Sequence, residues 1–292
     1  MSRRVREALL GYALVLPALL VFGTFIFYPF VRTAWLGLFE QPLFGGDSTW
    51  VGLDQYLDEW RSDDFRNSLF VTVKFAVFTV PVGISLGVLL AVVGHQRLRG
   101  IGVYRTIFSS TVATSIAVAS VLFFTLFNQQ LGVLTKLLNR EGETPVLDDP
   151  RLAFIAVCGV TIWQNLGLSF IVISAGLQAV PDELLEAARV DGAGAFRRFF
   201  RVTMPLLSPT LLFAVVVGSI LAFQAFAQVD LLTEGGPGDR TNVLTYAIKT
   251  TALGNPPDQG AAAAYAMALF AITLLLTVVQ LRFLERRVTY ER

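Results

Sequence analysis

The sequence predicts an all-α membrane protein whose chain crosses the bilayer six times. Three observations support this: 54% of the 292 residues are hydrophobic, only 15% are charged, and the chain contains six long apolar runs. A membrane-spanning helix needs about 20 mostly apolar residues. Lys74 is the only charged residue within the six runs, which cover residues 9–30, 69–93, 106–127, 152–176, 210–229 and 261–281.

The chain shows no linker, internal repeat or disulfide framework that would divide it. The first apolar run is too long for the core of a signal peptide and lacks a small-residue cleavage site, so it is expected to be retained as a span. The outer loop at residues 31–68 is acidic and rich in turn residues, and it is expected to be partly helical. Residues 1–292 are therefore predicted to form a single transmembrane domain.

The loop charges predict the orientation of the chain. Residues 1–8, 94–105, 179–209 and 282–292 hold 14 of the 23 basic residues but only 7 of the 22 acidic ones. Because positive residues are retained on the cytoplasmic side, both termini and the 179–209 loop are expected inside. The net charge of +1 hides this asymmetry, and we expect no nucleic-acid partner.

Lys74 lies in the second predicted span and has two interpretations. Its ammonium group could reach the outer membrane interface while its aliphatic stem stays in lipid. Alternatively, the side chain could face a water-filled path and meet an anionic solute.

Four amide side chains lie inside later spans. Gln164 and Asn165 are adjacent in the fourth span, and Gln224 and Gln228 are four residues apart in the fifth, which predicts that the last two share one helix face. Such groups are costly in lipid unless they are paired or face water. Hydrogen bonding between helices and contact with a transported solute explain them equally well.

The loop at residues 179–209 is a charged segment between two apolar runs. Pro181 suits the first position of a helix, and the acidic residues after it suit its first turn. Gly192 lies where a left-handed residue would end that helix. A second short helix is expected to carry Phe196, Phe199 and Phe200 on one face, and Pro205 and Pro209 are expected to end it. The segment is thus predicted to be a helix–turn–helix outside the membrane.

The spacing inside this segment is specific. Glu186, Ala187 and Ala188 are followed by three residues and Gly192, then by nine residues and an apolar segment ending in Pro205. This pattern resembles the EAA loop of ABC importer permeases, with Val202 and Met204 in place of the usual Ile and Leu. An ordinary amphipathic loop between membrane helices is the alternative. The sequence LTEGGP at residues 232–237 is also similar to a turn in that family.

The resemblance implies the type I ABC importer permease fold in a bacterial cell membrane. It implies as partners a second homologous permease subunit, two ATP-binding cassette subunits and an extracytoplasmic solute-binding protein. The residues that it implies for ATPase coupling are Glu186, Ala187, Ala188, Asp191, Gly192, Arg197 and Pro205. Within the carbohydrate-uptake branch, residues 72–75 and 277–285 look similar to glycerol-3-phosphate permeases, so the expected solute is glycerol-3-phosphate, a glycerophosphodiester or a sugar.

Several absences restrict the mechanism. None of the three lysines follows a glycine, so the chain has no phosphate-binding GxxxxGK[ST] loop. No carboxylate lies within a span, although proton-coupled transporters usually need one. One histidine and one cysteine provide no metal site, and neither a cofactor nor enzymatic activity is expected. The alternative to a permease is a secondary transporter or channel that works without an ATPase.

Overall fold

The computed structural model describes residues 3–40, 48–96, 99–128, 132–138 and 144–284. In chain order the helices are α1 Arg3–Phe22, α2 Tyr28–Leu36, α3 Asp54–Arg61, α4 Asp63–Gly94, α5 Ile101–Ser109, α6 Ile116–Phe127, α7 Val133–Leu138, α8 Pro150–Gln178, α9 Asp182–Val190, α10 Ala195–Arg198, α11 Met204–Phe223, α12 Ala227–Leu232, α13 Leu244–Leu253 and α14 Gln259–Leu284. The remaining elements are π-helical turns at Gly23–Phe27 and Phe199–Thr203, a 3-10 turn at Ser110–Ala113, and strands β1 Phe39–Glu40 and β2 Thr49–Trp50. Arg97 and most of the predicted basic tail lie outside the described residues.

Five described helices are long and apolar enough to cross a membrane: Gly11–Leu36, Asp63–Gly94, Pro150–Gln178, Ala195–Phe223 and Gln259–Phe283. A bent pair, Ile101–Ala113 followed by Ile116–Phe127, makes a sixth when counted as one span. The predicted all-α fold with six spans is therefore confirmed. The π-helical turn at Gly23–Phe27 lies within the first span, between α1 and α2.

The chain groups into two compact units, of which the first consists of the described residues of Met1–Ser62 together with Ile248–Ala268. In this unit β1 and β2 form an antiparallel pair in which Phe39 lies opposite Trp50. The ring of Trp35 lies 5.7 Å from that of Phe39 and 5.3 Å from that of Trp50. The indole N–H of Trp60 on α3 donates to the Ala264 carbonyl at 3.0 Å. The loop at residues 31–68 is thus partly helical as predicted, but its described residues also contain a short strand pair.

The second unit consists of Asp63–Ala247 and the described residues of Leu269–Arg292. Its central helices are α4, α8 and α11, which pack against one another. Helix α8 begins where Asp149 accepts hydrogen bonds from two backbone N–H groups, with Pro150 at its first position. One buried cluster surrounds Phe75 and Val157, and a second surrounds Ile173 and Leu207.

The third predicted span is not one continuous helix. Helix α5 continues into the 3-10 turn, and the chain then becomes extended at Thr114 and Ser115. The axis of α6 makes an angle of 103° with that of the helical segment Ile101–Ala113. No proline causes this break. Instead, α8 provides partners for it: the amide of Gln164 donates to the Thr114 carbonyl at 3.5 Å, and Gly167 lies directly against Thr111. Backbone groups freed inside a membrane need such partners.

The fifth predicted span is also interrupted, and the expectation that Gln224 and Gln228 share a helix face is wrong. Helix α11 ends at Phe223, and Gln224 is its C-cap. The backbone at Phe226, with φ −136° and ψ −60°, then redirects the chain into α12, which carries Gln228. The hydroxyl of Thr245 donates to the freed carbonyl of Ala225. The break is therefore stabilised by a residue 20 positions away.

Candidate coupling segment and translocation path

The segment at residues 182–204 begins with the predicted helix. Asp182 and Glu183 occupy the first turn of α9, as predicted, where the helix dipole favours negative charge. Pro181 is the extended N-cap residue just before the helix and not its first helical residue. Gly192 has φ +77°, and the N–H of Ala193 donates to the Ala188 carbonyl at 2.9 Å. The prediction that a left-handed Gly192 ends the helix is confirmed, and this conformation returns the chain towards α10.

The second half of the segment differs from the prediction, because Pro205 and Pro209 do not end a separate short helix. Residues Ala195–Phe223 form one continuous helical rod of 29 residues that contains α10, a π-helical turn and α11. Pro205 lies in the first turn of α11, and the wide π-helical turn before it lets the Met204 N–H reach the Phe199 carbonyl. Pro209 cannot donate to the Pro205 carbonyl, and the Ser208 hydroxyl does so instead at 2.5 Å.

The residues predicted to couple to an ATPase lie on the surface of this segment. Ala188 and Pro205 are half-buried, and the others are exposed: Glu186, Ala187, Asp191, Gly192 and Arg197. A Cβ atom built on Gly192 would have no neighbour within 4 Å, so only its backbone angle restricts that position.

Large apolar side chains are exposed beside these residues. The exposed fraction is 88% for Val190 and 78% for Phe196, and the ring of Phe196 packs on that of Phe200 at 4.5 Å. Phe196 and Phe200 therefore share an exposed face, whereas Phe199, which was predicted to lie on the same face, is half-buried. The sequence did not indicate Val190, because it does not follow the helical spacing of the other apolar residues of α9. Exposed apolar side chains surrounded by charges are typical of a protein interaction surface.

The segment at residues 182–204 follows the C-terminal end of α8. At the N-terminal end of α8, Lys74 lies in an open cleft of about 770 Å³. Its ammonium nitrogen is 4.1 Å from the ring centroid of Phe154, which is a cation–π contact. Arg151 and Arg240 line the same cleft, although sequence reasoning did not select them. They are separated from Lys74 by 77 and 166 positions in the sequence, so only the fold brings the three cations together.

The four predicted amide residues do not form one group. Gln164 and Gln228 are buried, with 9% and 3% of their surface exposed, and the side-chain oxygen of each lacks a hydrogen-bond partner among the described residues. Asn165 is half-buried and lines two small cavities, one where α4, α8 and α11 meet and a second between α8 and α11. Gln224 is exposed, one turn beyond Leu221 of the second cavity.

Comparison with known proteins identifies the family. The family described as "Binding-protein-dependent transport system inner membrane component" matches residues 83–290. The chain is 36% identical to the sn-glycerol-3-phosphate transport system permease protein UgpA of Agrobacterium fabrum over 285 residues, 97% of each protein. It is 34% identical to the trehalose/maltose transport system permease protein MalF of Thermococcus litoralis, over 96% of this chain and 95% of that protein.

A solved structure supports the fold. The crystal structure of a bacterial ABC transporter involved in the import of the acidic polysaccharide alginate contains a chain that is 22% identical and superposes with a TM-score of 0.83, over 97% of this chain and 98% of that one. The fold is therefore that of a type I ABC importer permease, as predicted. This chain belongs to the family of binding-protein-dependent transport system inner membrane components and is a multi-pass permease subunit of an ABC importer.

Proposed function

We propose that this permease forms one half of a translocation path with a second, homologous permease subunit, and that two ATP-binding cassette subunits drive it through the segment at residues 182–204. One observation carries this proposal. Exposed Phe196 belongs to the 29-residue rod Ala195–Phe223, and exposed Gly192 lies in the turn just before it. A partner that moves this surface would therefore move the rod as one body, up to the break at Gln224.

The proposed orientation places both termini and the coupling segment in the cytoplasm. It is supported by the excess of arginine in the loops assigned to that side. The other face would then receive an extracytoplasmic solute-binding protein, in keeping with the description of the family.

We propose that the solute is a phosphate ester of the glycerol-3-phosphate or glycerophosphodiester type rather than a neutral sugar. The relative in Agrobacterium fabrum is named for sn-glycerol-3-phosphate, and Lys74 provides a cation inside a span. Asn165 and Gln224 are the amide residues best placed to line the path, since both are accessible in the chain.

The test is uptake by proteoliposomes that contain this chain, its partner permease, the ATPase subunits and the binding protein. We expect ATP-dependent uptake of sn-glycerol-3-phosphate that exceeds uptake of maltose, and no uptake by this chain alone. ATP-independent uptake by the chain alone would instead identify a secondary transporter or channel. Maltose uptake that exceeds uptake of the phosphate ester would overturn only the proposed substrate class.

A further inference from the structure

We propose that the cleft at the N-terminal end of α8 is a binding site for a phosphate group, held by Lys74, Arg151 and Arg240. The inference rests on the proposed function in one respect, namely that this end of α8 faces outward. The coupling segment follows the opposite end of α8, about 43 Å away for 29 helical residues. The cleft is therefore a separate site from the surface proposed to meet the ATPase subunits.

The three cations come from three separate elements of the second unit. Lys74 lies on α4, Arg151 lies in the first turn of α8, and Arg240 lies in the loop between α12 and α13. The Lys74 ammonium is positioned over the ring of Phe154, which is only 7% exposed and packs edge-on against Phe75. A buried ring therefore holds the ammonium at the wall of the cleft.

Asp149 is the only carboxylate among the described residues that line the cleft. It accepts hydrogen bonds from the backbone N–H groups of Leu152 at 2.9 Å and Arg151 at 2.8 Å, and these bonds lower the pKa of its carboxyl group. The carboxylate is thus engaged in capping α8, and it offsets one of the three positive charges. The cleft keeps an excess of positive charge that an anion would balance.

The walls explain why an anion would bind here rather than at any exposed cation. Phe78, Phe154 and Ile155 provide apolar surface beside the charges. A lysine within an apolar span is costly unless it meets a partner, and charge attraction strengthens where apolar walls reduce the local dielectric constant. Two guanidinium groups suit phosphate, because each can donate two parallel hydrogen bonds to phosphate oxygens.

Two sources could supply this phosphate. A solute such as a phosphate ester could enter the open cleft from the outer side. A phospholipid headgroup could instead place its phosphate on the cations and its acyl chain along Phe78 and Ile155, which are 43% and 54% exposed. The chemistry of recognition is the same, so the test must separate the sources.

The test uses the complete importer with Ile155→Cys as a reporter of access to the cleft. The native Cys158 is fully buried, so the reporter should be the thiol of this chain that reacts. Labelling is therefore measured on this subunit after it is separated from the others by denaturing gel electrophoresis. Labelling by a small maleimide is measured without ATP in micelles of dodecyl maltoside, which carry no phosphate, with and without sn-glycerol-3-phosphate. A second series adds phosphatidylglycerol to the same micelles.

We expect at least one phosphate source to slow labelling, by about tenfold when the free probe is at roughly ten times its Kd. Protection by the soluble ester identifies a solute site, and protection by phosphatidylglycerol identifies a lipid site. The double variant Lys74→Met, Arg240→Gln should lose protection. The single variant Lys74→Arg, which keeps a cation at position 74 and leaves Arg240 unchanged, should retain it. Lys136→Met, which removes an exposed cation outside the cleft, should leave protection unchanged.

The proposal is overturned if neither source protects, if free glycerol protects as well as its phosphate, or if protection survives the double substitution. It is also overturned if the reporter never reacts, because the partner permease would then cover the cleft. These outcomes are independent of the proposed function, since labelling requires no ATP. An importer that takes up solute normally without cleft protection would disprove this site alone.

Discussion

The hydroxyl of Thr72 on α4 accepts a hydrogen bond from the backbone N–H of Leu244 at 2.8 Å and donates its own proton to the Ser68 carbonyl at 2.7 Å. Both residues are fully buried, and Leu244 is the first residue of α13. The hydroxyl therefore satisfies one of the N–H groups that every helix leaves unpaired at its start. It ties the chain after α12 to the centre of the second unit.

Thr72→Val is expected to destabilise the protein by about 1–3 kcal/mol, because it leaves a buried N–H without a partner. The midpoint of thermal unfolding of the purified assembly measures this effect. Thr79→Val is the matched control: Thr79 is also buried on α4, but within the described part of the chain its hydroxyl bonds only to the Phe75 carbonyl of its own helix. Equal midpoints for the two variants would show that the Thr72–Leu244 bond contributes little.

Gly167→Ala should disturb the broken third span. A Cβ atom at this position would overlap the Thr111 hydroxyl and lie 3.0 Å from the Phe108 carbonyl oxygen, a backbone atom that cannot easily move. We expect a cost of about 1–3 kcal/mol, as for other overpacked sites. Thermal unfolding provides the measurement, and Gly159→Ala is the control on the same helix, because a Cβ there meets nothing within 4 Å. A Gly167→Ala variant as stable as the native protein would mean that close packing of α8 against Thr111 is not needed for the break in the third span.

Gly192→Val should weaken coupling while the protein remains inserted in the membrane. The left-handed backbone at φ +77° opposes a β-branched side chain by about 1–2 kcal/mol. Uptake and ATP hydrolysis stimulated by the loaded binding protein should fall together in proteoliposomes. Gly194→Val is the control, since Gly194 has φ −62° and equally open surroundings. Gly192→Asn should retain more activity, because Asn tolerates this conformation.

Glu186→Lys tests the same surface through charge rather than backbone angle. Glu186 is exposed on α9, so its replacement should leave folding intact but reverse the charge presented to an ATPase subunit. We expect the same parallel loss of uptake and stimulated ATP hydrolysis. Full stimulation in both Glu186→Lys and Gly192→Val would show that this segment does not couple the permease to ATP hydrolysis.

Cysteine labelling should divide the four amide positions. Asn165→Cys and Gln224→Cys are expected to react with a small water-soluble reagent in the assembled importer, because Asn165 lines a cavity and Gln224 is exposed. Gln164→Cys and Gln228→Cys should stay protected, because both positions are buried. Lack of reaction at all four positions would mean that they serve helix packing. Reaction only at positions 164 and 228 would mean that these two residues, and not Asn165 and Gln224, line the path.

The sequence by itself determined the number and nature of the spans and the left-handed end of helix α9. Apolar runs are a local property of the sequence, and the thickness of the hydrocarbon core requires about 20 such residues for each spanning helix. The left-handed end of α9 is equally local, because Gly192 alone permits that backbone angle without strain.

Only the tertiary structure decided where the helices break. The runs at residues 106–127 and 210–229 contain no proline, so nothing local predicted the breaks at Thr114 and Gln224. Carbonyl groups exposed by a break inside a membrane are tolerated only where another segment binds them, and Gln164 and Thr245 provide this from elsewhere in the chain. The cleft at the N-terminal end of α8 has the same origin, because packing alone brings Lys74, Arg151 and Arg240 together.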